Sequence, residues 1–72
     1  MNRRKRYNSK LQIILTMGAI TVTTSYIGRI WAGSQQEADA TFKDMIDDGN
    51  GGIDMKKLNV MLEYKMAYKE TA

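Results

Sequence analysis

The chain contains no cysteine, no histidine and no proline among its 72 residues. Without cysteine it has no disulfide and no thiolate metal site, and its sequence does not indicate a redox compartment. Without histidine it lacks the commonest general base and the commonest zinc ligand. The absence of proline is compatible with long uninterrupted helices. A chain this short forms one small domain at most, with a marginal hydrophobic core.

Catalytic motifs are missing as well. The sequence has no phosphate-binding glycine motif and no serine paired with a plausible base. Asp and Lys side chains would do acid–base work only in a buried pocket, and a domain of this size has little room for one. The sequence therefore predicts a protein that is not an enzyme.

Charge is divided unevenly between the two halves of the chain, although the net charge is only +3. Residues 1–36 carry six basic groups and no acid, whereas residues 37–72 carry all eight acids against five lysines. Such a split indicates that the halves meet different environments. Residues 1–10 form a basic head, and a run of this kind beside an apolar segment predicts binding to an anionic surface. The residues predicted to do so are Arg3, Arg4, Lys5, Arg6 and Lys10.

The segment 11–32 is mainly apolar and predicts a membrane helix. It has no formal charge from Leu11 to Gly28, and Tyr26 and Trp31 lie near its end, as aromatic residues do at a bilayer interface. A helix of this length would measure about 30 Å, which matches a hydrocarbon core. We therefore expect a transmembrane or membrane-associated helix in a single-pass membrane protein. Its basic N-terminus would lie on the cytoplasmic or matrix side.

Other interpretations of the N-terminal half stay open. The apolar segment could be a secretory signal peptide or a mitochondrial transit segment that is later removed. It could also form an ordinary soluble helix or strand, since Ile20–Thr23 alternates as a β-strand does. The basic head could act as a nucleic-acid arm that neutralises phosphates, with Tyr7 adding a stacking surface.

A helix is predicted from Gln35 to Ile46. Ser34 and Glu37 fit a capping box, in which each side chain bonds the backbone N–H of the other residue. Apolar residues then recur at helical spacing on one face. These residues are Ala38, Phe42, Met45 and Ile46.

The glycine-rich break that follows gives residues 42–58 a resemblance to a single EF-hand. In that alignment Asp48 and Asn50 fall on the third and fifth loop positions, Gly51 on the sixth, and Asp54 on the ninth. The resemblance implies a helix-loop-helix and side-chain oxygens near a calcium position. The candidate metal ligands are therefore Asp48, Asn50 and Asp54.

Two departures from the EF-hand pattern predict a degenerate hand that binds calcium weakly or not at all. The first loop position is Ile46 instead of Asp, and the twelfth is Lys57 instead of Glu. No other cofactor is implied. Because single hands commonly pair through their eighth position, the resemblance also implies a homodimer through the region of Ile53.

A second helix is predicted from Asp54 to about Glu70. Its apolar surface is too wide for one short helix to cover, and an excess of this kind usually marks a partner site. The alternative is that the N-terminal helix folds back over it. The residues predicted to bind a larger protein partner are Val60, Met61, Tyr64, Ala67 and Tyr68.

Together these patterns predict an all-α protein with a membrane-type helix followed by an EF-hand-like helix-loop-helix module over residues 34–72. The expected function is that of a small membrane-anchored accessory or regulatory protein that docks a larger protein. The alternatives are a soluble basic-armed protein that binds nucleic acid, and a secreted calcium-binding module left after signal removal.

Overall fold

The chain folds as three strands and two helices, and the all-α prediction is wrong. The computed structural model describes residues 3–70. The elements in chain order are β1 (Lys5–Met17), β2 (Ile20–Ala32), α1 (Gln35–Ile46), α2 (Met55–Glu63) and β3 (Ala67–Glu70). The strands form one antiparallel sheet in the order β1-β2-β3. The fold is therefore a small α/β arrangement.

Residues 5–32 form a long hairpin where the sequence predicted a helix over residues 11–32. Strands β1 and β2 pair along their whole length, and Gly18 and Ala19 form the turn between them. Gly18 has a φ of +59°, which glycine adopts at little cost in the tight turn of a hairpin. Every residue from Ile20 to Thr24 is β-branched, and such residues favour strands over helices. The domain boundary predicted at residue 10 falls inside β1.

In residues 3–70, neither helix has the length and the apolar character that a membrane crossing requires. The segment predicted to cross or associate with a membrane as a helix supplies most of two paired strands instead. The predicted transmembrane helix, and with it the single-pass membrane location, is therefore wrong.

The two faces of the sheet have different surroundings. On one, the covered face, α1 packs so closely that a Cβ atom added to Gly28 would lie 2.8 Å from the ring of Phe42. Ser9, which lies opposite Gly28 in the register, shares this face and is buried. Directly opposed residues of an antiparallel pair point to one side, and successive residues alternate. The other side, the open face, carries the even-numbered residues of β1 and the odd-numbered residues of β2.

The hydrophobic core lies between the covered face and the two helices. Phe42 fills the space that the missing side chain of Gly28 leaves. Without that glycine the helix could not approach the sheet so closely. The buried residues of this core are Ile30, Ala32, Ala38, Phe42, Ile46, Leu58, Met61 and Ala67.

The helix predicted from Gln35 to Ile46 is confirmed as α1. Its capping box is half formed. The Ser34 hydroxyl accepts a hydrogen bond of 3.1 Å from the Glu37 amide, as predicted. The Glu37 carboxylate accepts from the amide of Gly33 at 2.9 Å, and not from Ser34.

The second predicted helix is too long, since α2 ends at Glu63 and residues 67–70 form β3. Lys65, between the two elements, adopts a φ of +58°, which reverses the chain. Strand β3 then pairs with the middle of β2. Helices α1 and α2 are joined by a loop, but both belong to a mixed fold that includes the sheet. A helix-loop-helix is therefore the wrong description of the whole.

Candidate functional site

The loop between the helices is organised by two aspartates. The Asp48 carboxylate accepts hydrogen bonds from the backbone amides of Asn50 at 2.7 Å and Gly52 at 3.0 Å. These two amides hold the pKa of Asp48 below its ordinary value. The Asp54 carboxylate accepts from the amides of residues 56 and 57 and so caps α2. Both carboxylates thus stabilise the loop and the helix that follows it.

Other contacts in this loop oppose calcium binding. The Lys57 ammonium group donates a 2.9 Å hydrogen bond to the backbone carbonyl of Asp47. This contact places a positive charge inside the loop. Ile46 is buried in the core, and Ile53 forms its β-bridge with Asp47 of the same loop. Across residues 3–70, no three acidic side chains converge as metal ligands would. The weak metal site at Asp48, Asn50 and Asp54 stays a prediction.

The residues predicted to bind a partner protein separate into two groups. Met61 and Ala67 are buried in the core of the chain itself and are not accessible to a partner. Val60 and Tyr64 are 49% and 70% exposed on or next to α2, whereas Tyr68 is 40% exposed on β3. Tyr68 therefore belongs to the surface of the sheet.

The basic residues of the predicted head are exposed and lie on or just before β1. Arg4 forms an ion pair of 3.2 Å with Glu37, and Lys10 forms one of 3.1 Å with Glu70. The Lys5 ammonium group lies 5.0 Å from the centre of the Tyr7 ring. These contacts hold part of the basic head in place against the rest of the domain.

The strand register brings cations and aromatic rings together on the open face. Arg6 lies opposite Trp31, and two residues further on Asn8 lies opposite Arg29. Lys10 is the next residue of β1 on this face. The sequence pattern predicts Trp31 at a membrane interface, whereas in a strand Arg29, two residues away, shares its face. The i, i+2 spacing was the signal that could have found this surface.

Two aromatic side chains on the open face are available for contact. Trp31 is 59% exposed, beside the Arg6 position. Tyr68 lies opposite Ile27 on β3, and the Arg29 guanidinium carbon is 5.0 Å from the centre of its ring. This cation–π geometry orients the arginine over the ring. We name the surface formed by Arg6, Lys10, Arg29, Trp31 and Tyr68 the basic aromatic face.

An open groove of about 600 Å³ lies on the other side of the sheet, between β1, α1 and the loop. Its floor is mainly apolar and includes Leu11, Phe42 and Ile46. Near one end the Ser9 hydroxyl donates a 2.7 Å hydrogen bond to Asp39. The sequence does not predict this groove, because the groove depends on the long hairpin of β1 and β2.

Comparison of the chain with models of protein families, with curated proteins and with solved structures gives no match.

Proposed function

We propose that this protein is a non-enzymatic nucleic-acid-binding protein that holds a single strand on its basic aromatic face. The observation that carries the proposal is the pairing of exposed cations and exposed aromatic rings on one uncovered surface: Arg6 beside Trp31, and Arg29 over Tyr68. Single-strand binders combine these two features, because cations track the phosphates while bases stack on the rings.

The division of charge supports a polyanionic ligand on this face. Residues 3–32, which comprise the hairpin and the two residues before it, carry six cations and no acid. Residues 35–54, which form α1 and the loop, carry six acids and one lysine, and α1 packs on the covered face. A basic surface on one side of a small domain is the electrostatic footprint of a nucleic-acid-binding protein.

A single strand fits better than a duplex. Trp31 and Tyr68 are large rings at the surface of a sheet, and bases can stack on them only when they are not already stacked in a helix. The surface has no helix that could enter a major groove, since both helices of residues 3–70 pack on the covered face. The expected binding is tolerant of base sequence, because stacking and phosphate contacts carry little sequence information.

The test is a titration of the full chain into a labelled single-stranded oligonucleotide of about 20 nucleotides, followed by fluorescence anisotropy over a series of salt concentrations. We expect saturable binding that weakens as salt rises, together with quenching of Trp31, the one tryptophan of the chain. An equally long duplex should bind more weakly. Absence of binding at about 50 mM salt, or tighter binding of the duplex, would overturn the proposal.

A second candidate function is docking to a larger protein through α2. The exposure of Val60 and Tyr64, which are four residues apart and so share one side of a helix, favours it. A partner that co-purifies with the chain should be lost when Val60 is replaced by Glu or Tyr64 by Ala. Oligonucleotide binding should not change in these two variants, which separates the two functions.

A further inference from the structure

The distal half of the hairpin, residues 13–24, extends away from the helices and forms an arm. The molecule measures 51 × 29 × 22 Å along its principal axes. On the arm, Leu15 lies opposite Val22 and Met17 opposite Ile20, so four apolar side chains share the covered face. They continue the apolar surface of the core beyond the point where α1 ends its contact. We name these four residues the arm ladder.

The arm ladder is exposed to solvent to an unusual degree. Its four side chains are between 53% and 78% exposed, which leaves on the order of 400 Å² of apolar surface, as large as the main patch of an ordinary monomer. A two-stranded ribbon with neither face packed is marginally stable in water. The arm therefore lacks a covering surface that the rest of the sheet obtains from α1.

The structure offers two complementary features beside the arm. Strand β1 is an outer strand of the sheet over all of its 13 residues, and an uncovered edge of this length pairs readily with another strand. The groove with its apolar floor at Phe42 and Ile46 opens next to β1. It lies on the same side of the sheet as the arm ladder.

The backbone hydrogen-bonding pattern of β1 leaves every second residue free to pair with another strand. The pair that flanks a two-residue turn is a hydrogen-bonded pair, so Met17 and alternate residues before it bond to β2. The intervening residues direct their backbone groups to the open edge. The Asn8 carbonyl is one of these, and it accepts a 3.0 Å hydrogen bond from Gln35 of α1. Its oxygen has a second lone pair for a partner strand.

We propose that two copies of this chain associate through their β1 edges in antiparallel register, so that the arm ladder of each copy covers the groove of the other. This interface has the twofold symmetry expected of a homodimer. Apart from Arg6 and Lys10, which lie on the β1 edge, it uses surfaces other than the basic aromatic face and so goes beyond the proposed function.

One register suits both the apolar and the charged residues. When Gln12 lies opposite Gln12 of the second copy, Leu15 lies opposite Ser9 and Met17 opposite Tyr7, all on the covered face. The arm ladder then runs along the groove of the second copy. Lys10 lies opposite Ile14, whose exposed side chain can cover its aliphatic stem.

Charge complementarity favours this partner. The chain has no charged residue from Leu11 to Gly28, so the basic residues at the start of β1 meet an uncharged arm and no like charge. A register shifted by four residues would place Lys10 opposite Lys10 of the second copy. Repulsion between these two like charges disfavours that register. In this register the two paired β1 edges and the Leu15 and Met17 side chains of both copies are buried against the partner.

The first test is the mass of the full chain in solution, measured by sedimentation over a range of micromolar concentrations. We expect a dimer for the wild type and a monomer for Leu15→Glu, which places a charge in the arm ladder. The matched control is Thr23→Glu, because Thr23 lies at the same depth of the arm but on the open face. Circular dichroism shows whether each variant keeps its strands. A monomeric wild type, or a Leu15→Glu variant that folds and still dimerises, would overturn the proposal.

The second test does not depend on how a charged variant folds. The chain has no cysteine, so Gln12→Cys introduces a single thiol at the symmetry axis of the proposed dimer. Opposed residues of a hydrogen-bonded pair have Cα atoms about 5.5 Å apart, within disulfide range. Mild oxidation should link two copies of Gln12→Cys rapidly, and should not link Gln36→Cys, whose thiol lies on the exposed surface of α1. Equal rates in the two variants would contradict the register.

Discussion

Ser9 donates its hydroxyl hydrogen to the Asp39 carboxylate across 2.7 Å, and so joins the middle of β1 to the first half of α1. The same carboxylate oxygen accepts a 3.0 Å hydrogen bond from Gln35. Ser9 is the buried polar residue of the sheet, and its partner lies at the mouth of the groove. This contact fixes the position of the helix on the hairpin and has a pH dependence of known sign.

Replacing Asp39 by Asn should destabilise the fold at neutral pH and much less in acid. Hydrogen bonds from Ser9 and Gln35 lower the pKa of Asp39. The ionised carboxylate therefore stabilises the fold above the unfolded-state pKa of about 3.9. This contribution is lost as the pH falls through the lower pKa of the folded state. Denaturant midpoints of wild type and variant at about pH 7 and about pH 2.5 measure the difference.

The control for this measurement is Asp44→Asn, on the exposed surface of the same helix. It removes the same charge without touching Ser9, and its effect on the midpoint should be small. A loss in Asp39→Asn that is equally large at both pH values would show that the hydrogen bonds to the charged carboxylate are not the cause.

Replacing Gly28 by Ala should lower the free energy of unfolding by about 1–3 kcal/mol, the usual cost of overpacking a core. The new Cβ atom would lie 2.8 Å from the Phe42 ring, and α1 would have to move. Thermal or denaturant unfolding measures the loss. Gly33→Ala is the control, because the nearest atom there is the end of the flexible Glu37 side chain.

The cause of that loss can be isolated by a double substitution. Phe42→Leu shortens the side chain above residue 28, so Gly28→Ala should cost less in the Phe42→Leu background than in the wild type. Non-additivity of this kind is expected for residues in direct contact. Strictly additive effects would mean that the strain arises elsewhere.

Calcium binding should appear in the loop only after Lys57 is replaced by Glu. The wild-type ammonium group bonds the Asp47 carbonyl and repels a cation. If the loop follows the EF-hand pattern that its sequence resembles, a Glu at this position supplies the bidentate ligand of the twelfth loop position. Calorimetric titration should show no saturable calcium binding at micromolar concentrations in the wild type and weak binding in the variant. Lys56→Glu, which adds the same charge on the neighbouring residue, should show none.

Replacing Trp31 by Ala should weaken binding to a single-stranded oligonucleotide by about 1–3 kcal/mol, the contribution of one stacked base. The loss should be similar for different base sequences. Tyr64→Ala is the matched control, since Tyr64 is more exposed than Trp31 but lies outside the sheet. Equal losses in both variants would show that aromatic exposure in general, and not the basic aromatic face, accounts for the affinity.

Replacing Arg6 by Gln should lower the salt dependence of the same binding. Each phosphate contact to a single strand contributes about 0.7 to the slope of log affinity against log salt concentration. Arg6 lies beside Trp31 in the register, so its loss should reduce the slope by about that amount. An unchanged slope would show that the phosphates of the ligand do not contact Arg6 and bind elsewhere on the protein.

Helix α1 was predictable because its signals are local. The cap at Ser34, the acid at Glu37 and the apolar spacing of Ala38 and Phe42 all lie within nine residues, and no distant contact is needed to interpret them. The long hairpin was not predicted, because an uncharged run of helix length outweighed the β-branched run from Ile20 to Thr24. The alternation from Ile20 to Thr23 is too short to decide between a strand and a helix by itself.

The end of α2 depends on a distant part of the chain. Residues 64–70 contain no glycine or proline, so no local signal stops the helix at Glu63. Strand β3 forms because Ala67 pairs with Gly28 on the preceding hairpin, about forty positions away. The sequence pattern therefore assigned Met61 and Ala67 to a partner surface, whereas both complete the core.

The separation of cations onto the hairpin and acids onto α1 and its loop gives the molecule an electric dipole that runs through the thickness of the sheet. In the field of a polyanion such a dipole experiences a torque before any contact is made, so the molecule turns its strands toward the ligand. An approach with α1 and its loop in front is disfavoured, because residues 35–54 carry six acids against one lysine. The fold thus selects the orientation of approach, and added salt would remove that selection by screening the field.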